Sequence, residues 1–391
     1  MNKCRDTFLP YCLPDITESE IDEVVSTLKS GWLAKGPRTR LFEQKFAEYV
    51  GAKHAVGMNS CTAALHIALV AAGIGPGDEV ITSPMTFAAS ANTIIHSGAI
   101  PVFVDIDPMT GCIDAAAIEA RVTPRTKAIV PIHYSGQACD LDKIYELAEK
   151  YGLFVSEDAA HALCTQYKGR MIGSRAPGAV SYSFYATKNL ATGEGGMLTT
   201  DDDKIADRAR VLVSHGMSKS AWNRYAKGGS WRYDIEEFGY KYNMFDIQAA
   251  LGLKQLERLE AMQQRRAEIA NAYNLAFAAL PGLITPSPSR HTSTHSWHLY
   301  VLRLNTAELS ITRDRFIEEL SERNIGTSVH FIPVHLMSAY ANRYGYKLGD
   351  LPNSEAWFDN VLSLPLYPTL NDDDVRYVIK SVRFLVSGYS R

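Results

Sequence analysis

Cysteine is sparse in this chain, and no two cysteines form a C-x-x-C pair. The six, Cys4, Cys12, Cys61, Cys112, Cys139 and Cys164, are scattered. That argues against a thiolate metal site and a disulfide framework, and fits the reduced thiols of a cytoplasmic protein. An excess of one charge is also missing: 40 Lys and Arg face 43 Asp and Glu, a net charge of -3. A nucleic-acid binder would show a basic face, so none is expected as a partner. No apolar run approaches the length of a membrane span, and the N-terminus meets Asp15 and Glu18 before any run of signal length. No G-x-G-x-x-G follows a strand and no G-x-x-x-x-G-K-[ST] occurs, which speaks against a Rossmann dinucleotide site and a P-loop.

What is present is an alternation. Thr17, with Glu20 three residues on, opens a first helix that Gly31 ends. From residue 55, apolar pieces such as EVITSP, PVFVDID, KAIVPIHY, LFVSED and AVSYSFYATK alternate with helical segments such as CTAALHIALVAAG and DLDKIYELAEKYG. This order predicts βαβ units and a mostly parallel sheet covered on both faces. A long helix is predicted from Asp246 to about Leu280. Beyond it, HLYVLRL (298–304) and IGTSVHF (325–331) read as strands, and RDRFIEELSERN and the segment led by Asp372 as helices. The expectation is an α/β fold with a large domain, 1–255, and a smaller α+β domain, 256–391.

Three elements could carry chemistry. Asp158 follows the strand LFVSE, where ligands of open α/β sheets bind, though it could equally cap the next helix. Lys188 ends the aromatic run SYSFYAT and precedes the glycine-rich LATGEGG. An exposed lysine at a strand end is the commoner case, but a desolvated one can lose its proton and attack a carbonyl. N-S-C-T at 59–62 opens a helix, where Ser60 could simply cap and where backbone N–H groups could also hold a phosphate. Together the three match what pyridoxal phosphate needs: an anchor for its phosphate, a carboxylate for its ring nitrogen and a lysine for its aldehyde. HTSTHSWH carries His291, His295 and His298 at a spacing that invites zinc. It leads into a strand, where residues three apart face opposite sides, so no metal is expected.

The chain resembles the DegT-type sugar aminotransferases, of the fold-type I pyridoxal-phosphate enzymes, from about Leu9 to about Leu385. The matching segments include SGWLAKGPRTRLFEQKFAEYVG, GDEVITSPMTFAASAN, EDAAHALCTQYKGRMIGS, SFYATKNLATGEGGML and GYKYNMFDIQAALGLKQLERLE. HYSGQ, EDAAH, GYKYN and SWHLY look most like the enzymes that aminate C4 of UDP-linked keto sugars. The resemblance implies that Lys188 bonds the cofactor's aldehyde carbon, that Asp158 pairs with the ring nitrogen and that His161 lies near the phenolic oxygen. It implies phosphate contacts from Cys61, Thr62 and Ser183, and stacking by Phe87. It also implies that Asn243 reaches the partner's phosphate site in a homodimer, and that Gly36, Tyr240, Lys241 and His330 meet the nucleotide sugar. The implied reaction takes an amino group from L-glutamate to a 4-keto sugar nucleotide, for a surface polysaccharide, a lipid or a glycoside. Rival readings are a sugar-nucleotide dehydratase, which retention of Lys188 disfavours, and a non-catalytic regulatory protein on the same fold.

Overall fold

The computed structural model describes residues 5–217 and 233–391. Helix α1 (Glu18–Ser30) opens with a capping box, in which the Thr17 N–H donates to the Glu20 carboxylate at 2.8 Å. Gly31 closes it in the left-handed region at φ 76°. Helix α2 (Pro37–Val50) starts on proline, whose missing N–H is no loss in a first turn. Strands and helices then alternate: β1 (His54–Met58), α3 (Cys61–Ala71), β2 (Glu79–Thr82), α4 (Ala88–His96), β3 (Ile100–Phe103), a short α5 (Ala115–Ile118), β4 (Thr126–Val130), α6 (Leu141–Tyr151) and β5 (Phe154–Asp158). Asp140 caps α6, its carboxylate accepting from the Lys143 N–H. A small excursion, β6 (Gln166–Tyr167) and β7 (Arg170–Met171), precedes β8 (Ala179–Ser183), β9 (Gly196–Thr200) and α7 (Asp203–Leu212).

Seven of these strands form one sheet in the order β1-β9-β8-β5-β4-β2-β3. Within it β9 runs against both neighbours, and the remaining pairings are parallel. The mostly parallel sheet expected from the alternation is therefore present. β2 and β9 are buried at every residue, as strands covered on both faces must be.

Helix α8 (Asp246–Phe277) is 32 residues long and serves two cores. Leu253, Leu259 and Met262 pack into the core around the large sheet, and Ile269, Ala270, Tyr273 and Phe277 into a second one. Residue 255, the boundary read from the sequence, falls inside this helix. The second core is built on an antiparallel sheet of β10 (Leu283–Ile284), β12 (Tyr300–Leu304) and β13 (Val361–Leu364). Helices α9 (Arg313–Glu322) and α12 (Asp372–Tyr389) cover it, while α10 (Ser338–Tyr344) and α11 (Pro352–Asn360) fall between them in the chain. Strand β11 (Thr292–Thr294) pairs with β6 in a third, small sheet.

The expected strand at 325–331 is not a strand. It makes only isolated bridges, Ile325 to Leu9 and Ser328 to Ser363. The ladder position beside β12 belongs to VLSL at 361–364, an unbroken buried run. The 325–331 segment instead carries His330 and Phe331 to the mouth of a cavity.

Candidate active site

A cavity of about 480 Å³ opens at the carboxyl ends of β5 and β8, within the usual size of a small-molecule site. Asp158 is the last residue of β5, and adjacent strand residues face opposite sides. Glu157 therefore turns away, into a closed network. His133 Nδ1 accepts from the Cys139 N–H at 3.2 Å, so its Nε2–H donates to Glu157 at 2.9 Å, and the Tyr145 hydroxyl donates to the same carboxylate at 2.5 Å. Asp158 faces the cavity. Its Oδ2 accepts from the Ser90 hydroxyl at 2.6 Å and its Oδ1 from the Ala160 N–H at 3.0 Å. Both bonds fix the carboxylate's orientation.

Lys188 follows β8 and points its Nζ into the same cavity, 3.3 Å from His298 Nε2. Burial pulls its ammonium down to about 8, against the opposing pull of Cys61, Asp158 and Cys12. The third wall is the start of α3. Ser60 caps it, its hydroxyl accepting from the Ala63 N–H at 3.1 Å. The N–H groups of Cys61 and Thr62 lie in the first turn and have no partner within the helix. Gly196 lets β9 pass against this turn: a Cβ there would lie 2.5 Å from the Cys61 nitrogen. Cys61, Thr62 and Ser183 all line the cavity.

His161 lies flat against Phe331, with ring centroids 5.9 Å apart and planes at 21°. Its Nδ1 accepts from the Ser135 N–H at 3.3 Å, which assigns its proton to Nε2. Burial, then Lys188 and His330, hold it well below its ordinary pKa, so it is neutral. His330 is pushed down to about 3, by burial and then by Lys188, and its Nδ1 lies 2.9 Å from the Ser363 hydroxyl. Phe87 stands at the rim, 67% exposed, its ring 6.4 Å from that of Phe331.

Four residues singled out in the sequence are not among those lining this cavity. The Gly36 N–H donates to Asp246 at 2.7 Å, and a Cβ at Gly36 would fall 2.6 Å from that carboxylate. Tyr240 stacks on Tyr242 at 5.0 Å and meets His66 at 4.9 Å. Lys241 donates to the Asn243 side chain at 2.7 Å, and Asn243 donates to the Met244 carbonyl at 3.0 Å. Conversely, Tyr11, Thr86, Ser90, His298 and Phe331 line the cavity and were not picked out for it. The three histidines of HTSTHSWH diverge: His291 meets Tyr167 at 5.7 Å, His295 stacks on Trp297 at 4.1 Å, and His298 faces Lys188. Among the described residues no three His, Cys, Asp or Glu are grouped to hold a metal.

A family model for the DegT/DnrJ/EryC1/StrS aminotransferases matches residues 14–383. The chain belongs to that family. It is 60% identical, over 98% of each chain, to the spore coat polysaccharide biosynthesis protein SpsC of Bacillus subtilis (strain 168). Spr1654 of Streptococcus pneumoniae, described as a sugar aminotransferase, superposes with TM-scores of 0.91 in its PMP form and 0.90 in its PLP form. Its identity to this chain is 37% and 36% in the two forms, over 97% of this chain and 99% of that one. PseC of Helicobacter pylori, an aminotransferase involved in the biosynthesis of pseudoaminic acid, gives 0.90 at 30% identity, over 98% of this chain and 100% of that one. The aminotransferase thus has the fold-type I architecture, and its cofactor is pyridoxal phosphate. Among its described residues no helix is long and apolar enough to cross a membrane.

Proposed function

We propose that this aminotransferase moves an amino group from L-glutamate to the C4 keto group of a UDP-linked sugar. The observation that carries the reading is the single cavity shared by Lys188, Asp158 and the open end of α3. These residues fit the cofactor. The N–H groups of Cys61 and Thr62, with the Ser183 hydroxyl, would hold its phosphate. Asp158, already oriented by Ser90, would keep its ring nitrogen protonated. His161, a neutral Nε2–H donor, would meet the phenolic oxygen, and Phe87 would cover a ring face. Bound there, pyridoxal phosphate supplies the electron sink that lets an amino group change carbon skeletons. Lys188, depressed to about 8, would take the proton from the donor's α-carbon in the first half-reaction and, in the reverse half, deliver one to the sugar carbon that gains the amino group.

The names of SpsC and PseC support a sugar acceptor and a product that enters a surface polysaccharide or a related glycan or lipid. HYSGQ, GYKYN and SWHLY support the C4 and UDP assignment. His330 borders the cavity where that sugar would enter, while Gly36, Tyr240 and Lys241, which do not line it, are assigned to the sugar by the family resemblance alone. We propose a homodimer in which Asn243 serves the neighbouring site, since its side chain does not line its own. The exposed Ile21, Val25 and Leu28 of α1 offer apolar surface for such a contact. The cytoplasm is the proposed setting, consistent with five free thiols among the described residues.

The test is a panel of 4-keto and 3-keto sugar nucleotides with L-glutamate, read by product mass. A 4-amino UDP sugar is expected, and a product that is only dehydrated, or aminated only at C3, would replace this reading. The shared site is tested by mixing Lys188→Ala and Asn243→Ala subunits after dissociation. Each parent is expected to be strongly impaired, and each mixed dimer, with one intact site, should recover about half of normal activity, so that an equal, randomly reassociated mixture rises towards about a quarter. A mixture that never exceeds its parents contradicts the shared site.

A further inference from the structure

His298 is buried, and no part of the reading above uses it. Its two ring nitrogens are both engaged. Nε2 lies 3.3 Å from Lys188 Nζ, and Nδ1 lies 3.2 Å from Asn189 Oδ1. The Asn189 amide decides which nitrogen carries the proton. Its Nδ2 donates to the Ser296 carbonyl at 2.7 Å and to Gln263 at 3.4 Å, so its Oδ1 is left as an acceptor. His298 therefore donates from Nδ1, and its Nε2 presents a lone pair to the lysine.

The surrounding chain holds this ring from behind. Gln263 and Arg266 are one turn apart on α8. Gln263 donates to the His295 carbonyl at 2.8 Å, and Arg266 donates to the carbonyls of Trp297 at 3.3 Å and Leu366 at 2.9 Å. The S-W-H segment is thus pinned before β12 begins. On the cavity side the ring of His161 lies 4.4 Å from that of His298. The titratable groups that face the Lys188–His298 pair are Cys61, Asp158, Cys12, His161, His330 and Arg266.

We propose that His298 is the positioning residue for the free amine of Lys188, accepting a hydrogen bond from Nζ through Nε2 whenever the lysine is not bonded to the cofactor. The proposal rests on the reading of Lys188 as the cofactor's lysine. An amine released from the cofactor has a long flexible stem and must be kept facing the carbon it serves. A lone pair held by Asn189 does this without adding a charge. Burial, followed by Lys188, His161, Arg266 and His330, keeps His298 neutral, so it accepts rather than repels.

The test uses the full-length chain stripped of cofactor, with Lys188 labelled by acetic anhydride across a pH series and read by peptide mass spectrometry. In the unmodified chain half-maximal labelling is expected near pH 8, the pKa of Lys188 being about 8. In His298→Phe the ammonium loses its acceptor, so the midpoint should fall by about one pH unit, a tenfold change in the protonation equilibrium. His298→Gln returns an acceptor at nearly the same reach and should stay with the unmodified chain. A Phe midpoint at the unmodified value overturns the proposal, and so does a Gln midpoint as low as that of Phe. If His298→Phe fails to fold, nitrogen-15 histidine spectra of the unmodified chain decide, with His298→Gln assigning the resonance. Nε2 is expected without a proton at neutral pH, and a protonated Nε2 overturns the proposal. Neither readout needs a keto sugar, glutamate or turnover, so a wrong substrate assignment leaves the result intact.

Discussion

Helices α2 and α3 begin with the same unsatisfied N–H groups and the same positive dipole end, yet the chain treats them differently. It closes the first itself. Asp246, fully buried, accepts from the N–H groups of Gly36 at 2.7 Å, Arg38 at 3.1 Å and Thr39 at 3.0 Å, and from the Thr39 hydroxyl at 2.7 Å. It leaves the second open. Ser60 satisfies one donor of α3, and the rest of that turn faces the cavity with Lys188 and Asp158. Glu157 and Asp158 repeat the contrast one residue apart. Each accepts two hydrogen bonds, but Glu157 is enclosed with His133 and Tyr145 away from the cavity, while Asp158 faces it. A helix end or carboxylate satisfied from within the chain holds the fold, and one left open at a cavity is available to a ligand.

The largest expected break is on the open side. Lys188→Ala should cut turnover at least about a thousandfold while leaving the melting temperature near normal and the cofactor bound without a covalent link. Steady-state rates and the protein-bound phosphate of the cofactor check both halves. Asp158→Asn comes next. An amide cannot hold a ring nitrogen protonated, so about 2–4 kcal/mol of transition-state stabilisation should be lost from kcat. Its neighbour provides the control. Glu157→Gln should leave kcat within a few-fold and lower unfolding free energy by about 1–3 kcal/mol, because it weakens a buried charge-assisted pair. Equal kinetic effects at 157 and 158 would erase the contrast. On the closed side, Asp246→Ala should cost about 2–3 kcal/mol of stability in urea unfolding, since it strands buried donors at the start of α2. The remaining folded fraction should bind cofactor normally, and a loss of cofactor affinity without a loss of stability would refute the division.

Much of the open side was legible in the sequence because it is local. Asp158 and Lys188 each end an apolar run, and ends of buried strands point at the ligand edge of a parallel sheet. Ser60, Cys61 and Thr62 open a helix directly after a strand. The capping pair Thr17 and Glu20 and the helix-ending Gly31 were equally local. What the sequence hid is tertiary. His298 stood out only as a metal candidate, because its partner lies 110 residues away in the chain. Ser90 orients Asp158 across 68 residues, and Tyr11 carries no motif at all. The apolar run at 325–331 looked like a strand, and only the pairing of β12 with 361–364 reveals that its place was taken. Gly36 was singled out for a sugar, and its close approach to Asp246 gives it a packing role that no local pattern announces.

The central claim is that the open side binds pyridoxal phosphate through Lys188. Borohydride reduction of the cofactor-loaded protein, followed by digestion and peptide mass spectrometry, tests it most directly. The account predicts a pyridoxyl mass on Lys188 alone. The label on any other lysine, or on none, would contradict it.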